Sequence, residues 1–311
     1  MKQDKNTIVV CQDAGGAEVV AAYLSTRITK GYCFYAFGPA RKVFRHYGFK
    51  VEATLKGKIP FKTIFGKQAK AACVLTGTSR NGSPLEMSFI REAKKRHIPT
   101  ASYLDHWVNY RERFGYPNPS WKEYLPDEIW VGDMEGYRLA KTLFPVFRVK
   151  IKMEPNRYFI RLRLEYAEKN KMAGKRKGIV FMSTPVPYRT EDIIRDLLTL
   201  LAVRRFRFPV VVRLHPSEAP TSYNRLISEF RPALRVSLSR NTDILDDINN
   251  AALVIGTESM ALAVASILCK STVSIIPDTT RECPLPFKEI IKVRSVFDIP
   301  LRLFDINEKK S

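Results

Sequence analysis

Five short polar stretches interrupt otherwise apolar runs, and each carries groups able to move a proton or hold a phosphate: Asp13-Ala14-Gly15-Gly16, Thr76-Gly77-Thr78-Ser79, Asp105-His106, His215-Pro216 and Gly256-Thr257-Glu258-Ser259. In the first, two glycines let a ligand approach the backbone, and the amides opening the next helix favour an anion. Asp13 there suits a general base; it equally suits a tight turn that it caps itself. The last stretch offers hydroxyls and free amides at a helix start, which can hold phosphate or simply cap the helix. His215 ends an apolar run and Pro216 stops it. Such a histidine can donate to a phosphate oxygen or stabilise a departing nucleotide, or it can be a satisfied structural residue. Asp105 to Phe114 packs acidic, aromatic, amide and basic groups together. That mixture fits a sugar or another polyhydroxy ligand, and it fits a loop with buried aromatics as well.

These stretches need elements to hold them. β-branched or apolar runs predict strands at Thr7–Cys11, Cys33–Phe37, Ala71–Leu75, Thr100–Leu104 and Glu128–Val131, then at Gly178–Met182, Pro209–Leu214, Leu253–Ile255 and Thr272–Ile276, the last closing its sheet. Helical stretches alternate with them. Ser83-Pro84 with Glu86 is a helix-start signal. Repeated β-α units imply two doubly wound α/β domains of Rossmann type with parallel sheets, facing a cleft. Each polar stretch then lies at the carboxyl end of a strand, where open α/β sheets bind ligands. Residues 148–177 hold eleven basic residues and three acids. The expected division is therefore an N-terminal domain at 1–152, a basic linker at 153–177, a C-terminal domain at 178–296 and a tail at 297–311.

Composition narrows the partners. The 311 residues carry a net charge of +21, which draws polyanions: nucleic acid, an anionic membrane surface or a phosphorylated substrate. Arg204-Arg205-Phe206-Arg207-Phe208 interleaves aromatics with arginine, as segments at membrane interfaces and on nucleic acids do. No RRM, KH, zinc-finger or clear helix-turn-helix pattern accompanies it. Five widely spaced cysteines with no CxxC fit reduced thiols in a cytoplasm, and no apolar run is long enough for a membrane span. HExxH, GxSxG and P-loop motifs are missing, and Asp246-Asp247 reads as a solvated helix face, so no metal or other cofactor is expected.

Taken together, the opening strand with Asp13-Ala-Gly-Gly, Pro126-Asp-Glu-Ile-Trp-Val131, Val210-Val-Val-Arg-Leu-His-Pro216 and the run Asn241 to Ser259 resemble the GT-B superfamily. That group joins nucleotide-sugar glycosyltransferases, glycerophosphotransferases of teichoic acid synthesis and non-hydrolysing UDP-N-acetylglucosamine 2-epimerases. The resemblance implies a nucleotide-activated donor held by Thr184, Arg213, His215, Pro216, Thr257, Glu258 and Ser259. It implies Asp13 as base, with Asp105 as the alternative, His215 at the leaving phosphate, and Gly15, Gly16, Thr78, His106, Asn109 and Arg113 around the acceptor. Transfer to a saccharide or lipid-linked acceptor in surface-polysaccharide or glycolipid synthesis is the expected activity, without metal and with closure of the two domains assembling the site. Many UDP-sugar enzymes and the epimerases carry a glutamate in the helix after the serine; here Met260 to Ser266 has no acid, which counts against UDP-sugars and epimerisation. The alternatives are a sugar epimerase and a nucleic-acid or anionic-membrane binding protein on a degenerate GT-B fold.

Overall fold

Runs such as Thr7–Cys11 and Thr100–Leu104 are buried at every position, as strands covered on both faces must be. The computed structural model describes residues 7–27, 31–52, 59–67, 71–79, 82–145, 149–171, 178–184, 189–215 and 218–306. It divides into unit 1, Met1–Arg161, and unit 2, Leu162–Ser311. Unit 1 runs β1 (Thr7–Cys11), α1 (Ala14–Ser25), β2 (Tyr32–Ala36), α2 (Ala40–His46), α3 (Phe61–Lys67), β3 (Cys73–Thr76), α4 (Pro84–Lys95), β4 (Thr100–Leu104), β5 (Glu128–Val131), α5 (Met134–Leu143) and β6 (Lys150–Met153), with α6 (Arg157–Lys171) crossing the division. Unit 2 continues with β7 (Ile179–Met182), α7 (Thr190–Val203), β8 (Val210–Arg213), α8 (Pro220–Phe230), β9 (Val236–Leu238), α9 (Ile244–Asn250), β10 (Leu253–Gly256), α10 (Met260–Ile267), β11 (Ser271–Ile275) and β12 (Ile290–Val293).

Both sheets have six strands, in the orders β2-β1-β3-β4-β5-β6 and β12-β11-β10-β7-β8-β9. Every pairing is parallel. In each sheet the first strand sits inside the order, so the winding reverses beside it: between β1 and β3 in unit 1, and between β7 and β10 in unit 2. Such reversals open a crevice at the carboxyl ends of the two strands.

Local signals account for several boundaries. Ser83 caps α4 by accepting from the Glu86 amide at 3.4 Å, with Pro84 in the first turn. Asp133 caps α5 through Gly136 N at 2.7 Å. The stretch expected as a linker is instead largely helical: α6 has fifteen residues with no glycine or proline, and Phe159, Leu162 and Tyr166 are buried at helical spacing. Its high charge is the solvated face of an amphipathic helix. The rest of that stretch, 172–177, lies outside the described residues. The second sheet does not close at β11, because β12 pairs with it. Residues expected as a tail are anchored to unit 2 by the buried side chains of Ile299 and Phe304, and 307–311 lie outside the described residues.

Candidate functional site

At the reversal in unit 1, β1 runs into Asp13 and α1 while β3 runs into Thr78. The chains approach so closely that only glycine fits. A Cβ on Gly16 would lie 2.8 Å from the backbone N and O of Thr78, and one on Gly15 would overlap Asp105 Oδ2. Asp105, just past β4, accepts from Arg113 Nη1 at 2.6 Å; the same nitrogen reaches Thr78 Oγ1 at 2.9 Å, and Arg113 Nε donates to Val108 O at 2.9 Å. Arg113 is 4% exposed, so this is a charge pair held inside the protein. Five residues expected around the site, Gly15, Gly16, Thr78, Asp105 and Arg113, therefore meet. Arg113's role here is internal: its Nε and Nη1 tie Asp105 and Thr78 to the loop.

Asp13 occupies the N-cap position of α1 without a side-chain capping bond, so its carboxylate does not serve the capping turn. His106 is half-buried, and its Nδ1 accepts from Trp107 N at 2.9 Å. It lines a small pocket with Asp105, Trp107, Tyr110, Asp133 and Asn156. Asn109 adopts a left-handed conformation, φ 56°, and accepts the Arg113 amide at its carbonyl.

A further residue of this rim is Glu86, which the sequence suggested only as part of a helix start. It is 3% exposed, accepts from Gln12 N at 3.1 Å and from Ser79 Oγ at 3.2 Å, and so joins the ends of β1 and β3. Burial pushes its pKa up to about 8; the nearby charges of Asp13 and Asp105 push the same way, against the two hydrogen bonds. One signal for it was present in the sequence: Glu86 shares the buried face of α4 with Phe89, Ile90 and Ala93, where an acid has no solvent to hold its charge.

In unit 2 the reversal lies between β7, ending before Ser183-Thr184, and β10, ending before Thr257-Glu258-Ser259. Three hydroxyls there, Thr184 Oγ1, Thr257 Oγ1 and Ser259 Oγ, are buried with no hydrogen-bond partner among the described residues. Thr257 is fully buried and Thr184 is 7% exposed. Ser259 is the N-cap of α10 yet makes no capping bond. Buried hydroxyls normally find partners, and here two lie before α10 and one after the adjacent strand β7 without one among the described residues.

His215 follows β8 and is exposed. The protein around its ring disfavours the charged form and sets its pKa below the ordinary histidine value, against the pull of Glu218. The loop is held by Glu218, which the sequence did not single out: Oε2 accepts from His215 N at 2.8 Å, and Oε1 from Ser183 Oγ at 2.8 Å and Tyr223 OH at 2.5 Å. Pro216 lies outside the described residues. Two residues expected at the phosphate are otherwise engaged. Arg213 donates to Asp247 Oδ2 at 2.6 Å and to Thr242 O at 2.9 Å, anchoring the loop before α9. Glu258, 5% exposed, faces Arg281 at 3.3 Å. The solvated helix face expected at Asp247 is not found: Asp247 is 5% exposed and also accepts from Ser239 Oγ and Asn241 Nδ2, both at 2.7 Å.

No protein-family model matches the sequence, and no curated protein matches it significantly. Solved structures do resemble it. The UDP-GlcNAc 2-epimerase from Neisseria meningitidis bound to UDP-GlcNAc superimposes with a TM-score of 0.65 at 12% identity, over 92% of this chain and 86% of that one. The Methanocaldococcus jannaschii UDP-GlcNAc 2-epimerase gives 0.61 at 10% identity, over 93% and 88%. MurG of Acinetobacter baumannii gives 0.51 at 12%, over 87% and 78%. With two all-parallel α/β units in succession and these likenesses spanning most of the chain, the protein has the GT-B fold.

Proposed function

We propose that this protein is a nucleotide-sugar-dependent transferase in which unit 2 grips the donor diphosphate and unit 1 supplies the acid–base chemistry. The observation that carries this reading is the set of buried hydroxyls without a hydrogen-bond partner among the described residues: Thr257 and Ser259 before α10, and Thr184 after the neighbouring strand β7. A phosphate would accept from them and from the α10 amides, with the helix dipole favouring its charge. A neutral His215 ring has one N–H to donate to the departing phosphate.

In the proposed reaction an acceptor hydroxyl loses its proton to Asp13 as its oxygen attacks the sugar carbon. The bond from that carbon to the phosphate oxygen breaks, and the electron pair leaves with the nucleotide. Asp13 is the base that the resemblance implies, and Asp105, which Arg113 and Thr78 hold, is the alternative. Glu86, kept protonated by burial, prevents a third negative charge beside those two at neutral pH. The acceptor is a saccharide or a lipid-linked saccharide, and surface-polysaccharide or glycolipid synthesis is the setting that the resemblance implies.

Calorimetric titration with CMP, CDP, UDP and GDP tests the reading. Selective binding of one nucleotide, weakened in His215→Ala and in Thr257→Val/Ser259→Ala, supports it; no binding to any of the four defeats it. The likeness to epimerases bound to UDP-GlcNAc favours a second reading, inversion of a sugar carbon without an acceptor. Incubation with UDP-GlcNAc in deuterated water separates the two, since epimerisation alone exchanges the inverted C–H when no acceptor is present.

A further inference from the structure

α7 ends at Val203, and the chain turns through Arg204 to Phe208 into β8. The turn places Arg205 in the left-handed region, φ 52°, with its amide on Ala202 O. Phe206 faces inward, 8% exposed, and meets Phe208 edge-on at 5.7 Å. The aromatics that alternate with arginine in the sequence are therefore not the exposed apolar groups here. Those come from elsewhere. The 3-10 turn Val296–Asp298 packs on α7, Val296, Ile299 and Phe304 are its buried anchors, and Asp305 pairs with Arg204 at 3.4 Å. The contact of Val296–Asp298 with α7 and the Arg204–Asp305 pair tie the segment carrying Phe297, Leu301 and Arg302 to α7 and the turn after it.

The result is a surface with three large apolar side chains in solvent, Val203 at 78%, Phe297 at 62% and Leu301 at 50% exposure. Arg204, Arg205, Arg207 and Arg302 stand among them, all exposed. Of the acids on this segment, Asp305 pairs with Arg204 and Asp298 accepts from Ser295 N at 2.9 Å. Exposed apolar groups ringed by arginine match a lipid interface, where apolar side chains enter the acyl boundary and arginines meet lipid phosphates. A nucleic acid would use the arginines and could stack on Phe297, but it gains nothing from exposed Val203 and Leu301.

We infer that this surface of unit 2 docks on an anionic lipid bilayer, with Val203, Phe297 and Leu301 entering the headgroup region. The inference extends the proposed function by giving the surface on which a lipid-linked acceptor would be met, and it is tested separately. The full-length protein is sedimented with vesicles of phosphatidylcholine, alone and mixed with phosphatidylglycerol. Binding is expected to the mixed vesicles only. Phe297→Ser/Leu301→Ser, which changes no charge, is expected to lower the partition coefficient about tenfold. Arg205→Gln/Arg302→Gln is expected to lower it by at least about tenfold. Both variants should retain the wild-type melting temperature and nucleotide affinity. Failure to bind mixed vesicles overturns the inference. So does a loss confined to the arginine variant, which would reveal capture of any polyanion, nucleic acid included. Vesicle binding without nucleotide binding would sink the transferase reading and leave this one standing.

Discussion

The strand reversals of the two units have been equipped in opposite ways. In unit 1 the polar groups satisfy one another: Arg113 bridges Asp105 and Thr78, and Glu86 links Gln12 to Ser79. In unit 2 Thr184, Thr257 and Ser259 point buried hydroxyls at nothing described. A rim whose charges are already paired is rigid and preorganised, suited to hold a base in place. A rim with orphaned donors carries a desolvation cost for each of them until an acceptor is supplied. The two rims thus differ in how far their own polar groups satisfy one another.

That contrast can be broken by mutation. Arg113→Ala should have the largest effect, about 3–5 kcal/mol of lost stability, because it strands the Asp105 carboxylate without its buried partner. Urea unfolding measures it, and a loss near zero would mean the pair does not organise unit 1. Gly15→Ala comes next at about 1–3 kcal/mol, since the new methyl meets a carboxylate that Arg113 prevents from swinging away. Thr257→Val/Ser259→Ala should behave in the opposite sense. Nucleotide affinity should fall about tenfold to a hundredfold, while the melting temperature holds or rises as unpaired hydroxyls are removed. If that double variant instead destabilises the fold and leaves affinity unchanged, the hydroxyls are structural.

The smallest expected effect per step is a pH dependence. Glu86 has a folded pKa of about 8, above its ordinary value of 4.5. The folded state therefore holds a proton that the unfolded chain releases. Its stabilising contribution is complete below pH 4.5 and is lost as pH rises through 8, with a slope of at most about 1.4 kcal/mol per pH unit. Glu86→Gln should flatten that slope, as followed by unfolding midpoints across this range. An unchanged slope would assign the dependence to other groups.

Alternation of strand and helix was legible because it rests on local patterns. Thr7–Cys11, Thr100–Leu104 and Glu128–Val131 form strands at the residues their β-branched and apolar runs mark. Legibility failed where charge masked a pattern. The basic residues of α6 hid the stripe of Phe159, Leu162 and Tyr166, and alternating lysines hid the edge strand Lys150–Met153. Among candidate site residues, Gly15, Gly16, Thr78 and Asp105 were named from their turns, and the fold gathers them. Arg213 was expected at the donor through the resemblance, but its side chain turns to Asp247, thirty-four residues further along the chain.

What the sequence determined alone was the succession of parallel β-α units and the polar turns at their strand ends, since hydrophobic period and turn chemistry act over a few residues. Only the tertiary structure decided which polar groups are partnered. Whether Glu86 keeps its proton, Arg213 meets Asp247 or Thr257 is left without an acceptor depends on burial and on contacts between distant segments. The free energy of a buried polar group is set by those surroundings, and no local window of sequence contains them.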